Sequence, residues 1–140
     1  METKFFRCSL CGNIVVKLVD SGVTPFCCGK EMEELAAHTA EGNYEKHLPA
    51  VHCAPLNNDV VNYKCLDVQV GSVEHPMTPE HFIEFIYLET NHGGQFATLD
   101  PTAKPVARFI IGPNCQPKAV YEYCNIHGLW KKELTSKEAQ

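Results

Sequence analysis

Two groups of cysteine and histidine in this chain have the types and spacing to hold metal ions. Cys8 and Cys11 flank two residues, and fifteen residues further on stands the adjacent pair Cys27-Cys28. Four soft thiolates in two close pairs can converge tetrahedrally on one ion, and zinc and iron both accept that set. With four protein ligands no position is left for substrate, so such a site can hold its segment together or store and pass an electron. The second group is spread wider: Glu45-Lys46-His47, His75-Pro76-Met77 with His81 six residues on, and Cys124-Asn125-Ile126-His127-Gly128. Four imidazoles and a thiolate exceed a tetrahedral zinc site and leave one place open on a six-coordinate iron. An open position makes the site catalytic, and a thiolate pushing electron density onto iron suits the reduction of a small oxygen species.

These residues need elements to position them. The first four cysteines fall in a segment with a β-rich run, Ile14 to Val19, and a turn, Asp20-Ser21-Gly22. It has too few apolar residues for an independent core, so a metal must supply much of its folding free energy. From about Ala37 the chain reads as short strands: Val60 to Val70, His81 to Glu89, Gln95 to Leu99, Val106 to Ile111 and Ala119 to Cys124. Between them lie Asn57-Asn58-Asp59, His92-Gly93-Gly94 and Gly112-Pro113-Asn114. The expected fold is all-β: a small four-cysteine module over 1–37, then an immunoglobulin-like antiparallel sandwich over 38–140. The proline after His75 favours an extended backbone there, projecting that ring from a loop, while Cys124 and His127 bracket a tight turn.

Composition narrows the function classes. Of the 140 residues 44% are hydrophobic and 21% charged, as in an ordinary folded domain. The net charge of -5 and scattered Lys and Arg speak against nucleic acid. No stretch reaches the roughly 18 apolar residues of a membrane span, and Met1 to Arg7 leaves no room for a signal peptide. The expected location is the cytoplasm, where thiols stay reduced and metal ligation is favoured over disulfides.

On these motifs the chain resembles desulfoferrodoxin, the two-iron superoxide reductase family, over nearly its whole length. Cys8, Cys11, Cys27 and Cys28 are spaced as in desulforedoxin. The remainder resembles neelaredoxin through Glu45-Lys46-His47, Gly71-Ser72-Val73-Glu74-His75-Pro76-Met77, His81 and Cys124-Asn125-Ile126-His127-Gly128-Leu129-Trp130. The resemblance implies superoxide as substrate and hydrogen peroxide as product, and iron at both centres. It implies His47, His75, His81 and His127 as equatorial ligands and Cys124 as the axial one. Glu45 becomes the carboxylate that fills the sixth position in the oxidised state, and Lys46 the cation beside the open face. A rubredoxin-like electron donor and a homodimer are also implied. The competing reading is a non-catalytic electron carrier or zinc-stabilised binding module.

Some residues find no place in that pattern. His38, His52 and His92 belong to no motif, Trp130 and the aromatics of residues 82–87 read as core, and Lys131 and Lys132 as a solvated tail. Cys53, Cys65 and Cys115 are extra. The bland reading makes Cys65 a small buried side chain, and a sharper one pairs two of the three as a redox-sensitive disulfide. The stretch from Ala50 to Asn62 is longer than the family pattern leads one to expect.

Overall fold

The computed structural model describes residues 2–39, 44–56 and 62–139, with only the backbone of Tyr44 and Glu45. The Asn57-Asn58-Asp59 turn and the Glu45 carboxylate therefore lie outside the described residues. Contacts divide the chain into two compact units, Met1–Ala36 and Ala37–Gln140.

In the first unit β1 (Phe5–Arg7) lies between β2 (Ile14–Val16) and β5 (Glu33–Glu34), while β3 (Phe26–Cys27) pairs with β4 (Lys30–Glu31). The β-rich run stops at Val16, and Leu18 and Val19 are exposed. The expected turn is there, its Asp20 carboxylate accepting from the Gly22 N–H and bridging Lys4 and Lys17. Among the described residues the apolar cluster holds Phe6, Cys8 and Met32, with Cys27 against them. A core that small cannot offset the chain entropy of its own segment.

The described residues of the second unit hold one turn of helix, α1 (Tyr44–His47), and seven strands: β6 (Pro49–Pro55), β7 (Lys64–Val70), β8 (Ile83–Thr90), β9 (Gly93–Thr98), β10 (Val106–Ile111), β11 (Pro117–Cys124) and β12 (Gly128–Glu133). They form antiparallel sheets in the orders β10-β7-β6 and β12-β11-β8-β9. That is the crossover pattern of an immunoglobulin-like sandwich, its fourth strand on the second sheet. Alternation sets the core: Leu66, Val68, Val70, Phe109 and Ile111 from one sheet meet Ile83, Ile86, Leu88, Val120 and Cys124 from the other.

Several strands differ from the sequence reading. Strand β7 starts at Lys64 and β8 at Ile83, and β9 takes in Gly93 and Gly94, expected as a turn. The first part of the long stretch, from Ala50 to Pro55, is strand: β6 pairs with β7 from Pro49↔Val70 to Pro55↔Lys64. Lys131 and Lys132 are not a tail. They lie in β12, where the Lys131 stem packs so that its ammonium sits 5.5 Å from the Tyr121 ring centre. A Cys53–Cys65 disulfide is excluded by the pleat. Cys53 stands opposite Leu66 and faces the core, whereas Cys65, opposite Ala54, faces away, and all eight cysteines are free.

Candidate functional site

The four thiols of the first unit converge, with all sulfur atoms within 4.8 Å of one another. Adjacent side chains in a strand point to opposite faces, so Cys27 and Cys28 could not both join without a change of backbone. That change is at Cys28, which has φ 56°, in the left-handed region. Cys11 and Cys27 sulfurs come to 3.6 Å and those of Cys27 and Cys28 to 3.9 Å, while Asn13 Nδ2 donates to Cys27 Sγ at 3.6 Å. The Cys11 N–H points at Cys8 Sγ at 3.4 Å, and with the N–H of Leu10 it holds the Cys8 thiol down at about 6. Cys28 is pushed up to about 12, by Cys11 first and then Cys27 and Cys8. Thiols sharing so small a volume do not shed their protons together unless a cation replaces them, so the donor set fits a metal.

The second group assembles at one end of the sandwich. His47 closes α1 just before β6, His75 and His81 lie between β7 and β8, Cys124 ends β11, and His127 is in the turn to β12. Their ligand atoms all lie within 4.8 Å of one another. The four imidazoles close a ring: centroids are 4.8 Å apart for His47 and His75, 4.7 Å for His75 and His81, 5.2 Å for His81 and His127, and 4.7 Å for His127 and His47. Each neighbouring pair is edge-on, between 61° and 83°. Cys124, fully buried in the core, reaches this ring from the interior, its Sγ 3.7 Å from His127 Nδ1.

Local structure aims each side chain. His75 Nδ1 lies 2.7 Å from the Pro76 carbonyl, which can only accept; the ring proton must sit there, leaving Nε2 a bare lone pair. His75 Nε2 and His81 Nε2 are buried with no hydrogen-bond partner among the described residues. Burial, first of all, drives the His75 pKa down to about 4 and lowers that of His81, which also feels His127 and the exposed Lys46. Neutral, buried, unpartnered imidazole nitrogens are what a metal ligand set requires. Burial raises the Cys124 pKa, while the backbone N–H groups of His127 and Ile126 oppose it, that of His127 at 3.4 Å from the sulfur.

A β-bulge contributes too. Strand β8 pairs Phe85 with Tyr123 but Ile83 with Cys124, so Glu84 is an extra residue. The bulge reverses the alternation, bringing Ile83 to the core side, and His81, two residues earlier, to the side of Cys124. Thr78 and His81 then exchange backbone bonds at 3.0 and 3.1 Å, closing the loop.

Sequence reasoning missed three contributors. Trp130, expected only as core, stacks on His47 at 4.7 Å and 12°, and its Nε1 donates to the His127 carbonyl at 3.2 Å. His38, expected to be inert, packs on Trp130 at 5.0 Å and bridges to β12 through its backbone. Glu122 lies fully buried with neither carboxylate oxygen partnered among the described residues, and burial pushes its pKa well up. An acid between Val120 and Cys124 at core parity was the available signal. His92 Nε2 donates to the Asn114 carbonyl at 2.9 Å, and His52 stays exposed beside Asp67; neither approaches the ligand ring.

Comparison with known proteins places this geometry. Residues 1–35 match the family model described as Desulfoferrodoxin, N-terminal domain, and residues 39–133 the model described as Desulfoferrodoxin. The chain is 41% identical over 134 residues to a desulfoferrodoxin of Syntrophotalea carbinolica, covering 94% of this chain and 97% of that one. It is 41% identical over 123 residues to the desulfoferrodoxin of Clostridium acetobutylicum, covering 88% and 90%. Among solved structures, the superoxide reductase from Treponema pallidum superposes with a TM-score of 0.77 at 29% identity, covering 94% of this chain and 98% of that one.

Proposed function

The chain belongs to the desulfoferrodoxin family, and on that premise we propose that it is a superoxide reductase whose chemistry takes place at His47, His75, His81, Cys124 and His127. The observation that carries this reading is the closed ring of four imidazoles around one small volume, with a buried thiol entering from the core. Iron bound there supplies the single electron that, with two protons, converts superoxide to hydrogen peroxide without releasing dioxygen.

The chain's own residues do the rest. Superoxide is an anion approaching a protein of net charge -5, so a local cation has to draw it in. Lys46 is that cation: exposed, adjacent to His47 in α1, with its charge felt at His81. It also orients the water that delivers a proton to the departing product. In the family pattern Glu45 is the acid that would serve the oxidised resting state. The Trp130 indole shields His47 from solvent, and the Pro76 carbonyl keeps the His75 proton on Nδ1.

Cys8, Cys11, Cys27 and Cys28 hold a second iron that stores or passes electrons and takes no substrate. The functional division falls at 1–37 for this module and 38–140 for the reductase domain. A rubredoxin-like protein re-reduces the centre, two chains associate as a homodimer, and the protein works in the cytoplasm as a defence against superoxide. Eight free thiols support a reducing compartment, and no helix among the described residues is long and apolar enough to cross a membrane.

The test is metal analysis and visible absorption of the purified protein, before and after one equivalent of superoxide is added to its reduced form. Two irons per chain, with a charge-transfer band appearing as peroxide forms, are expected. Zinc and no colour in protein metallated by its own host would overturn the reading.

A further inference from the structure

We infer that Asn125 is a positioning residue, fixing His81 against the turn that carries Cys124 and His127; the inference rests on the metal-site reading above. Asn125 stands between two of the proposed ligands, yet its bonds leave its own turn. Its Oδ1 accepts from the Phe82 N–H at 2.9 Å, its Nδ2 donates to the Glu80 carbonyl at 2.9 Å, and its backbone N–H donates to the Phe82 carbonyl at 3.2 Å. Glu80 and Phe82 are the residues immediately before and after His81. One residue thus grips the His81 backbone from both sides.

The chemistry of the grip is specific. One side of the clamp is a peptide N–H and the other a peptide carbonyl, and a primary amide is the short side chain that offers an acceptor and a donor together. A carboxylate would satisfy Phe82 and repel Glu80; an alkyl chain would satisfy neither.

His81 is the ring that needs such help. The His75 ring is pinned through Nδ1 to the Pro76 carbonyl, and His47 is stacked on Trp130. The His81 Nε2 is buried with no hydrogen bond among the described residues, and His81 is less buried than His47 or His75. Its placement is therefore set by its backbone, and the backbone on both flanks is held by Asn125. Because the clamp is solvent-exposed, water replaces its bonds when they are lost. Losing them leaves overall stability nearly unchanged and releases the ring's position.

The experiment is a double-mutant cycle in which Co2+ binding to the full chain is followed by its ligand-field spectrum in wild type, His81→Ala, Asn125→Ala and the double variant. Asn125→Ala is expected to weaken binding at the five-donor site roughly 10- to 100-fold, as loss of a ligand-orienting partner does. It should change the ligand-field bands as His81→Ala does, and add nothing in the His81→Ala background. Asn125→Asp, which keeps the bond to Phe82, should fall between. Circular dichroism and a melting temperature of the metal-free chain close to wild type show in each variant that the sandwich is folded. Wild-type affinity in Asn125→Ala, or losses that multiply in the double variant, would overturn the role given to Asn125. If His81→Ala itself bound Co2+ as wild type does, the site reading would fall, and this inference with it.

Discussion

Replacing Gly71 by alanine tests how tightly the sandwich holds the loop beside His47. Gly71 has φ 83°, and its N–H donates to the Leu48 carbonyl at 3.1 Å, where the chain leaves His47 for β6. A Cβ there would fall 2.6 Å from the Lys46 carbonyl oxygen and nearer still to that of Val73, closer than side chains pack. Gly128 is a matched control, with φ 84° and nothing nearer to its Cβ position than His38 Nε2 at 3.9 Å. Both substitutions incur the left-handed penalty of about 1–2 kcal/mol. Only Gly71→Ala must also displace backbone, which by analogy with overpacking adds about 1–3 kcal/mol. Gly128→Ala should thus lower the melting temperature by roughly 4–8 °C and Gly71→Ala by roughly 8–20 °C, at about 4 °C per kcal/mol for a domain of this size. The atoms displaced in Gly71→Ala lie one peptide from His47, so metal affinity should fall along with stability. Calorimetry of the chelator-treated and metal-loaded forms of both variants reads this directly. Equal losses would refute the reasoning, since the crowding at Lys46 and Val73 would then count for nothing.

Three further outcomes are expected. Lys46→Ala should slow the second-order reaction with superoxide about tenfold at low salt and flatten its dependence on ionic strength; pulse radiolysis measures both, and an unchanged rate constant would remove Lys46 from the encounter. Cys124→Ser should abolish the sulfur-to-iron charge-transfer absorption of the oxidised five-donor centre while leaving the bands of the four-cysteine centre in place. With His75 held at about 4 in the folded metal-free protein and near 6.5 when unfolded, the unfolded chain binds the extra proton between those values. Metal-free protein should therefore lose stability as pH falls from about 6.5 to 4, with no contribution from this group above that window. Urea midpoints across that range check it, and a flat profile would argue against a buried neutral His75.

The site was more legible in the sequence than the frame that builds it. Cysteine and histidine in tight spacings are chemically distinctive, and the five donors of the second group meet as one cluster although they span 81 positions of the chain, from His47 to His127. Strands with clean alternation, such as Val106–Ile111, were readable because one face is buried and one is wet. Strand β6 was not: a proline at each end and the small residues Ala50, Cys53 and Ala54 give a weak strand signal, and only pairing along the whole of β7 makes it one. Strand β12 hid behind Lys131, Lys132 and Glu133, which read as solvent-seeking until Tyr121 of β11 supplies a surface for the Lys131 stem. Trp130 and Asn125 escaped for a different reason. Each acts through a partner remote in the chain, His47 in one case and the flanks of His81 in the other, and spacing carries no trace of such contacts.

The extra residue at Glu84 decides how the site responds to inheritance. Which way a side chain leaves a strand depends on counting residues and not on what they are, so a base change within β8 cannot turn His81 away from Cys124. Loss of a single codon can: the strand would regain plain alternation, its apolar residues would still find partners, and one ligand would be aimed elsewhere. The register that aims His81 is thereby shielded from point substitution within β8 and exposed to a rarer lesion, the in-frame deletion. Such a lesion would abolish function while leaving a protein that still folds.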